Sequence, residues 1–426
     1  MRPFLNISLF FFIILFGCNP QKKETLNQFS AQVDTLVLKT NKAKGYGMLN
    51  YSVAYGIVTQ DTADHREFPV IYPENLHDIK IASARIDTKP ARYKRLKKNN
   101  SEYLPKFLVK NFPQNIDTAN LPTTEENTIN ILLAKRDGKK VFVVDENNNQ
   151  DFRDDSVRLL KNYDYKRPEL IKCQYSIYNG SKLTKTSGWI NTGGDPLMFS
   201  VAHHLESSFS IGNNTYKIEA VNGGPFFRFC FENPMLALVS QNGVQKDSVV
   251  TSEIIEKGEY LKLGDSFFRL ENVSNDGSLV TLIKEKDISD KIGTQVGFMA
   301  PDFESRTIDG DSVRSEDFKG KYLLVANLTA CGDREENYGY FKDLKQKYGS
   351  SFDIVGVENS RESLKQLIKK LSLDGKFIIA EDNPSMRKNY REDFSSRTCF
   401  LINPQGKIAD KFELSAWKAT LSKHFE

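Results

Sequence analysis

Apolar and polar positions follow two different rhythms along this chain, and the rhythm changes near residue 293. From 33 to 292 the apolar residues come in short alternating or continuous runs, as in strands that are half or wholly buried. Such runs lie at Val53 to Val58, Ile129 to Leu133, Lys140 to Val144, Gln174 to Ile177 and Met198 to Ala202. Others lie at Tyr216 to Val221, Phe226 to Phe231, Ser248 to Ile255, Ser266 to Glu271 and Leu279 to Lys284. The pairs Asn179-Gly180, Gly193-Gly194, Asn222-Gly223, Asn242-Gly243 and Asp276-Gly277 punctuate them, and this spacing predicts hairpins in a sandwich or open barrel. One domain or two both fit the pattern, with a seam at the acidic loop near Asp145 or in the segment Asp164 to Glu169.

Beyond 293, strand and helix patterns alternate. An apolar run within Lys321 to Leu328 predicts a strand, and residues from about Asp333 to Tyr348 have helical spacing (Tyr340, Phe341, Leu344, Tyr348). A second strand is expected at Phe352 to Val357, then a helix from Ser360 to Leu371 with Leu364, Leu367, Ile368 and Leu371 on one face. A short strand at Lys376 to Ala380 follows, then a helix opened by Asn383-Pro384. Thr398 to Asn403 and Lys407 to Phe412 read as a hairpin turned at Pro404-Gln405-Gly406, and a last helix from Ser415 carries Trp417 and Leu421.

The N-terminus follows neither rhythm. Arg2 is followed by a continuously apolar segment, Leu9 to Phe16, which is too short to span a bilayer and closes on Leu15-Phe16-Gly17-Cys18. This ending resembles a bacterial lipobox. The resemblance implies that 1–17 is a signal peptide, that Cys18 is diacylated as the mature N-terminus, and that 18–32 is a polar tether. It implies a chain anchored through its lipid, on the periplasmic face of the outer membrane given Asn19 after the cysteine. Several acyl chains at ~0.8 kcal/mol per buried CH₂ would hold it there stably.

Composition narrows the picture in two ways. A formal net charge of +4 over 426 residues, with both signs interspersed, gives no reason to expect nucleic acid. Besides Cys18 there are four cysteines, Cys173, Cys230, Cys331 and Cys399, too few for a disulfide scaffold in a chain of this length. Cys173 and Cys230 fall on predicted strands, as two buried thiols or one structural disulfide.

Cys331 is the residue placed for chemistry. A strand that delivers one cysteine to the start of a helix puts the thiol against unpaired N–H groups and the positive end of the dipole, which favour the thiolate. The stretch Ala300-Pro301-Asp302-Phe303, Asp317-Phe318-Lys319-Gly320-Lys321-Tyr322-Leu323-Leu324-Val325 and Cys331-Gly332 resembles thioredoxin-like domains of the redoxin and TlpA type. Those are thiol-disulfide oxidoreductases of the bacterial cell envelope, and the likeness covers roughly the last third of the chain. The element order beyond 293 is also the thioredoxin order. The expected fold class is therefore α+β multidomain, a sandwich-like β region at 33–292 followed by a thioredoxin-like α/β domain at 293–426.

The family's site is degenerate in this sequence. Where the family has Cys-Gly-Pro-Cys, this chain has Cys331-Gly332-Asp333-Arg334, without the resolving thiol. Arg334 would lower the Cys331 pKa and Asp333 would oppose it. The family's cis-proline falls on Arg397, and the tryptophan before the first cysteine is Ala330. Cys399 is a candidate resolving thiol or a core residue. The peroxiredoxin pattern places a threonine three residues before the cysteine, where this chain has Leu328, and no proline accompanies it. Three readings remain: a thiol-disulfide oxidoreductase-class protein limited to monothiol chemistry at Cys331 on envelope protein thiols, a degenerate thioredoxin fold serving as a binding scaffold, and a one-cysteine peroxidase.

Two features of the β region bear on metals. Asp145, Asn147, Asn149 and Asp151 offer oxygens at alternate positions, as a calcium loop needs, and Asp154-Asp155 follow. Gln150 takes the place of the EF-hand glycine and Ser156 that of the bidentate glutamate, so an acidic, Asn-rich hairpin tip after the strand is the favoured reading of the segment. His203 and His204 are adjacent on a strand and point to opposite faces, so they do not chelate one ion together. With five scattered histidines, no zinc or iron centre and no other cofactor are expected.

Overall fold

The computed structural model describes residues 27–426 apart from 31–32, 52–53, 58, 62–69, 112–117, 124–125, 179–181, 224–228, 232, 289, 329–333, 359–360, 374 and 391–397. The predicted signal segment, Cys18 and most of the tether lie outside the described residues.

Two main cores lie between sheets among the described residues of the β region. In the first, the sheet built from Thr59–Asp61, His77–Arg85, Thr128–Arg136, Lys139–Val144 and Arg158–Leu159 faces the sheet of Ile171–Tyr178, Leu183–Gly193, Met198–Val201 and Tyr55–Gly56. Ala82, Ile129, Phe142, Ile171, Tyr175, Ile190, Phe199 and Phe229 close the space between them. In the second, strands around His203–Ile211, Asn214–Asn222 and Pro234–Gln241 cover a sheet of Tyr260–Leu263, Ser266–Val273, Leu279–Glu285 and Thr35–Lys39. Leu36, Leu205, Phe209, Leu236, Phe268 and Leu282 fill this core. The chain passes between cores near 202, where Val201 packs against the first and Leu205 enters the second. Neither Asp145 nor Asp164 to Glu169 is the seam.

Period-2 patterning did not foretell the helices Thr88–Lys98 and Leu104–Asn111. Asp87 caps the first by accepting the Lys89 N–H at 2.9 Å, and Lys94 to Lys98 lie in this helix, which carries Arg95, Lys97 and Lys98 in its last turn, where cations complement the dipole. Among the described residues of Phe226 to Phe231 no strand forms, and most of Ser248 to Ile255 is loop and a short 3₁₀ turn.

The C-terminal domain holds one five-stranded sheet. We label its elements β1 (Leu323–Asn327), α1 (Arg334–Tyr348), β2 (Asp353–Glu358), α2 (Arg361–Leu371), β3 (Lys376–Ile379), α3 (Pro384–Tyr390), β4 (Thr398–Ile402), β5 (Ile408–Glu413) and α4 (Trp417–Phe425). Sheet order is β3-β2-β1-β4-β5, with β1, β2 and β3 mutually parallel, β4 antiparallel to β1 and β5 antiparallel to β4. All five residues of β1 are buried, as expected of a central strand covered on both faces. One face packs Tyr338, Phe341, Leu344 and Trp417, the other Phe303, Phe318, Met386 and Phe400. The parallel strands end at one edge of the sheet, where α/β folds of this kind place their chemistry.

Candidate functional site

At that edge β1 ends at Asn327, Leu328 is buried and gives its N–H to the Val357 carbonyl at 2.9 Å, and α1 begins at Arg334. Cys331 belongs to the link between them. Cys331, Gly332, Asp333, Ser396 and Arg397 lie outside the described residues, and of Arg334 the backbone alone is described.

The described residues around the link are polar and buried, which an apolar strand end would not require. Fully buried Asn327 donates from Nδ2 to the carbonyls of Tyr390 (3.0 Å) and Thr398 (2.7 Å), tying β1 to both flanks of segment 391–397. The Asn337 Nδ2 reaches the Leu328 carbonyl at 3.5 Å. Tyr338 and Glu358 have no exposed surface, and the Tyr338 hydroxyl donates to Glu358 Oε2 at 2.9 Å. Glu358 closes β2 beside Leu328, so a buried carboxyl sits at the strand edge from which the Cys331 link departs. Sequence reading passed over Asn327, Asn337, Tyr338 and Glu358. The available signal was a lone acidic residue ending the apolar run Ile354 to Val357.

Losing the hydroxyl that serves this carboxyl has a calculable consequence. Tyr338→Phe preserves shape and removes one donor from the buried Glu358 carboxyl, so the full chain is expected to lose about 1–3 kcal/mol, read from its urea midpoint. A midpoint unchanged within error would show that the pair contributes nothing.

The other cysteines among the described residues are core residues. Cys399 is fully buried between Ala326 on β1 and Phe412 on β5, and burial, with Glu413 adding, pushes its thiol far above the ordinary range. Cys173 and Cys230 are buried free thiols, so the disulfide alternative does not form. Burial likewise pushes the Cys173 thiol up, with Glu146 and Asp145 adding.

The acidic loop is held largely by its own hydrogen bonds. Asp145 is fully buried and accepts the N–H groups of Asn149 (3.0 Å) and Gln150 (2.9 Å). Asn147 Oδ1 accepts from Asn149 N–H, Asn149 Oδ1 from Asp151 N–H, and Asp151 is paired with Arg153 at 2.6 Å. Asp155 Oδ1 accepts from Glu146 N–H, whereas its Oδ2 is buried and without a hydrogen bond among the described residues. Burial, with Asp145 and Asp154 nearby, lifts Asp155 to about 7.

His203 and His204 do face opposite ways. His203 lies in the β-region interior against Gly188 and Phe229, and burial lowers it to about 3. His204 meets Glu206 and Glu219.

The two halves of the molecule meet beside the same sheet edge. Thr398, Tyr390, Phe400 and Lys411 form one wall of a cavity of about 320 Å³, and Glu259, Tyr260 and Gln295 belong to the other. The Lys411 Nζ is 3.5 Å from Glu259 Oε1 across it.

Residues 296–411 match the model of the AhpC/TSA family. The C-terminal domain is an AhpC/TSA redoxin domain. Over 127 residues, 29% of this chain and 72% of the relative, it is 27% identical to the thiol-disulfide oxidoreductase ResA of Bacillus cereus. It is 26% identical to peroxiredoxin Bcp of Bacillus subtilis over 132 residues, 31% of this chain and 69% of that protein. The putative chloroplastic glutathione peroxidase 7 of Arabidopsis thaliana is 30% identical over 116 residues, 25% of this chain, and the chain spans only 49% of its length. Among solved structures, the thioredoxin domain of a thiol-disulfide oxidoreductase from Bacteroides vulgatus is 25% identical over 31% of this chain and 98% of that one, with a TM-score of 0.28.

Proposed function

We propose that the protein is a lipid-anchored member of the thiol-disulfide oxidoreductase class whose chemistry is carried by the single thiol of Cys331. One observation supports this reading: in the sequence Cys331 falls between β1, which ends at Asn327, and α1, which begins at Arg334, while every cysteine among the described residues is buried. The Cys331 thiolate attacks one sulfur of a partner disulfide, a new S–S bond forms to that sulfur, and the other leaves as a thiolate. Without a neighbouring cysteine at 334, release requires a second thiol, from the partner or a small molecule, to attack the mixed disulfide. The departures at 334 and 397 favour the alternative, a binding scaffold on a redoxin fold. A one-cysteine peroxidase is the third reading, and an oxidation product of Cys331 with peroxide but no mixed disulfide would select it.

The test is reaction of the full chain with an aromatic disulfide. Release of one equivalent of thiolate, lost in Cys331→Ser and kept in Cys18→Ser, supports the proposal. No release from the folded chain leaves the scaffold.

Anchoring through diacylated Cys18 on the periplasmic face of the outer membrane is part of the same proposal. Among the described residues no helix is long and apolar enough to cross a membrane. Fractionation of cells carrying wild type and Cys18→Ser checks it, and a variant that stays in the membrane fraction would refute it.

Calcium at the acidic loop is also a proposal, supported by the alternate oxygens of Asp145, Asn147, Asn149 and Asp151 and by the unpartnered Asp155 Oδ2. At about 100 times a Kd on the order of 10⁻⁴ M, as in extracellular modules, bound calcium adds ~2.7 kcal/mol. A rise in Tm with Ca²⁺ that Asp155→Asn abolishes is the expected result. An equal rise in both chains would exclude the loop.

A further inference from the structure

We propose that His204, Glu206 and Glu219 form a site for a divalent transition-metal ion, with zinc the ion that fits the donors best. His204 and Glu206 are two residues apart on the strand His203–Ile211 and so share a face, while Leu205 and Phe209 enter the core on the other. Glu219 is the register partner of Glu206 on the neighbouring strand Asn214–Asn222. One donor atom from each of the three residues lies within 4.8 Å of the others.

The distances suit a small tetrahedral ion. His204 Nε2 is 3.3 Å from Glu206 Oε1 and 3.9 Å from Glu219 Oε1. Ligands held at ~2.0–2.2 Å around tetrahedral zinc are about 3.3–3.6 Å apart. One imidazole and two carboxylates leave the fourth position to water, and Glu206, with 32% of its side chain exposed, opens the site to solvent.

The surroundings orient the donors as a metal site requires. The Gly45 carbonyl, 2.8 Å from His204 Nδ1, can only accept, so Nδ1 carries a proton and Nε2 is the nitrogen that faces the carboxylates, where a proton or a metal ion can sit. Glu219 is 4% exposed, and its Oε2 is fixed by the Met48 N–H at 2.6 Å. Its Oε1 makes no hydrogen bond among the described residues. The loop closes tightly over the pair at Gly47, whose φ is +64°, and a Cβ there would lie 2.4 Å from Glu219 Oε2 and 2.8 Å from His204 Cγ. Two carboxylates and an imidazole nitrogen converging in a mostly buried site call for positive charge, which a metal ion supplies in place of a proton on Nε2. Lys217 Nζ, 2.8 Å from Glu206 Oε1, competes for one of the donors.

The experiment titrates Zn²⁺ into the full chain, freed of metal by chelation, and into a Cys331→Ser chain so that thiol-bound zinc is recognised. One ion per chain with a Kd at or below ~1 μM is expected, unchanged by Cys331→Ser. His204→Gln and Glu219→Gln should weaken binding by more than ~100-fold, beyond the loss typical of an outer hydrogen bond. Glu206→Gln, on the solvent side, should weaken it at least tenfold, and Lys217→Met should tighten it. No stoichiometric zinc at ~100 μM, meaning that a proton on Nε2 alone balances the carboxylates, would overturn the proposal, as would equal affinity in the glutamate variants.

Discussion

Iodoacetamide is expected to alkylate Cys331 in the folded chain with a midpoint below pH 7, and Cys331→Ser should remove that labelling. The contrast is with the other thiols of the two domains. Cys173, Cys230 and Cys399 have no exposed surface, and burial pushes Cys173 and Cys399 far above the ordinary range, so they react only when the structure opens. A thiol with a midpoint of 7 is half ionised at pH 7, whereas one near ~8.5 is about 3% ionised, so activation gives roughly a 15-fold gain in thiolate. On the proposed reading the N-terminus of α1 and Arg334 would supply the lowering, and Asp333 would act against it. Arg334→Ala should raise the midpoint by a few tenths of a unit, since a charge in the first turn contributes about 0.3–1 kcal/mol. A midpoint at or above ~8.5 would end the enzymatic reading and leave a scaffold.

How much of this was legible in the sequence depended on whether local pattern or distant pairing decided the outcome. β1, α1, β2 and the hairpin β4-β5 follow from apolar runs and turn residues, because the strands there are buried by elements close in sequence. The helix Thr88–Lys98 escaped because it is largely polar, with an N-cap at Asp87 and no apolar face at helical spacing strong enough to announce it. The path through two cores was invisible because Thr35–Lys39 pairs with Leu279–Glu285, far away in the chain. The metal donors illustrate the same limit. His204-Leu205-Glu206 is a legible same-face pair, but Glu219 joins it only through the register of the two strands.

Lys411→Met is expected to destabilise the chain by about 3 kcal/mol at neutral pH, through the contact between its two halves rather than through either core. Lys411 is 8% exposed on β5, with Nζ 3.5 Å from Glu259 Oε1 and 3.9 Å from Glu256 Oε1. The Glu259 side chain is 17% exposed and the Glu256 side chain 57%, so Glu259 is the partner that suffers. Removing one member of a buried pair leaves the other charge unsolvated, which costs about 3–5 kcal/mol, and the residual exposure of Glu259 puts this case at the lower end. The pH dependence separates this mechanism from lost packing. Burial holds the Glu259 carboxyl above its ordinary range, while Lys411 and the Glu256 N–H pull it back. A carboxyl raised in the folded state contributes stability that is complete below its unfolded pKa and is lost as pH rises through the folded value. Without Lys411 the folded value climbs further, so the deficit of the variant should be largest at neutral pH and shrink below the ordinary carboxylate pKa, where Glu259 is protonated in both chains. Glu259→Gln in the same background should recover most of the loss. Urea midpoints of the three chains at acid and neutral pH decide it: a deficit that does not change with pH would mean that Lys411 acts through its aliphatic stem and that the charge pair does not join the β region to the redoxin domain.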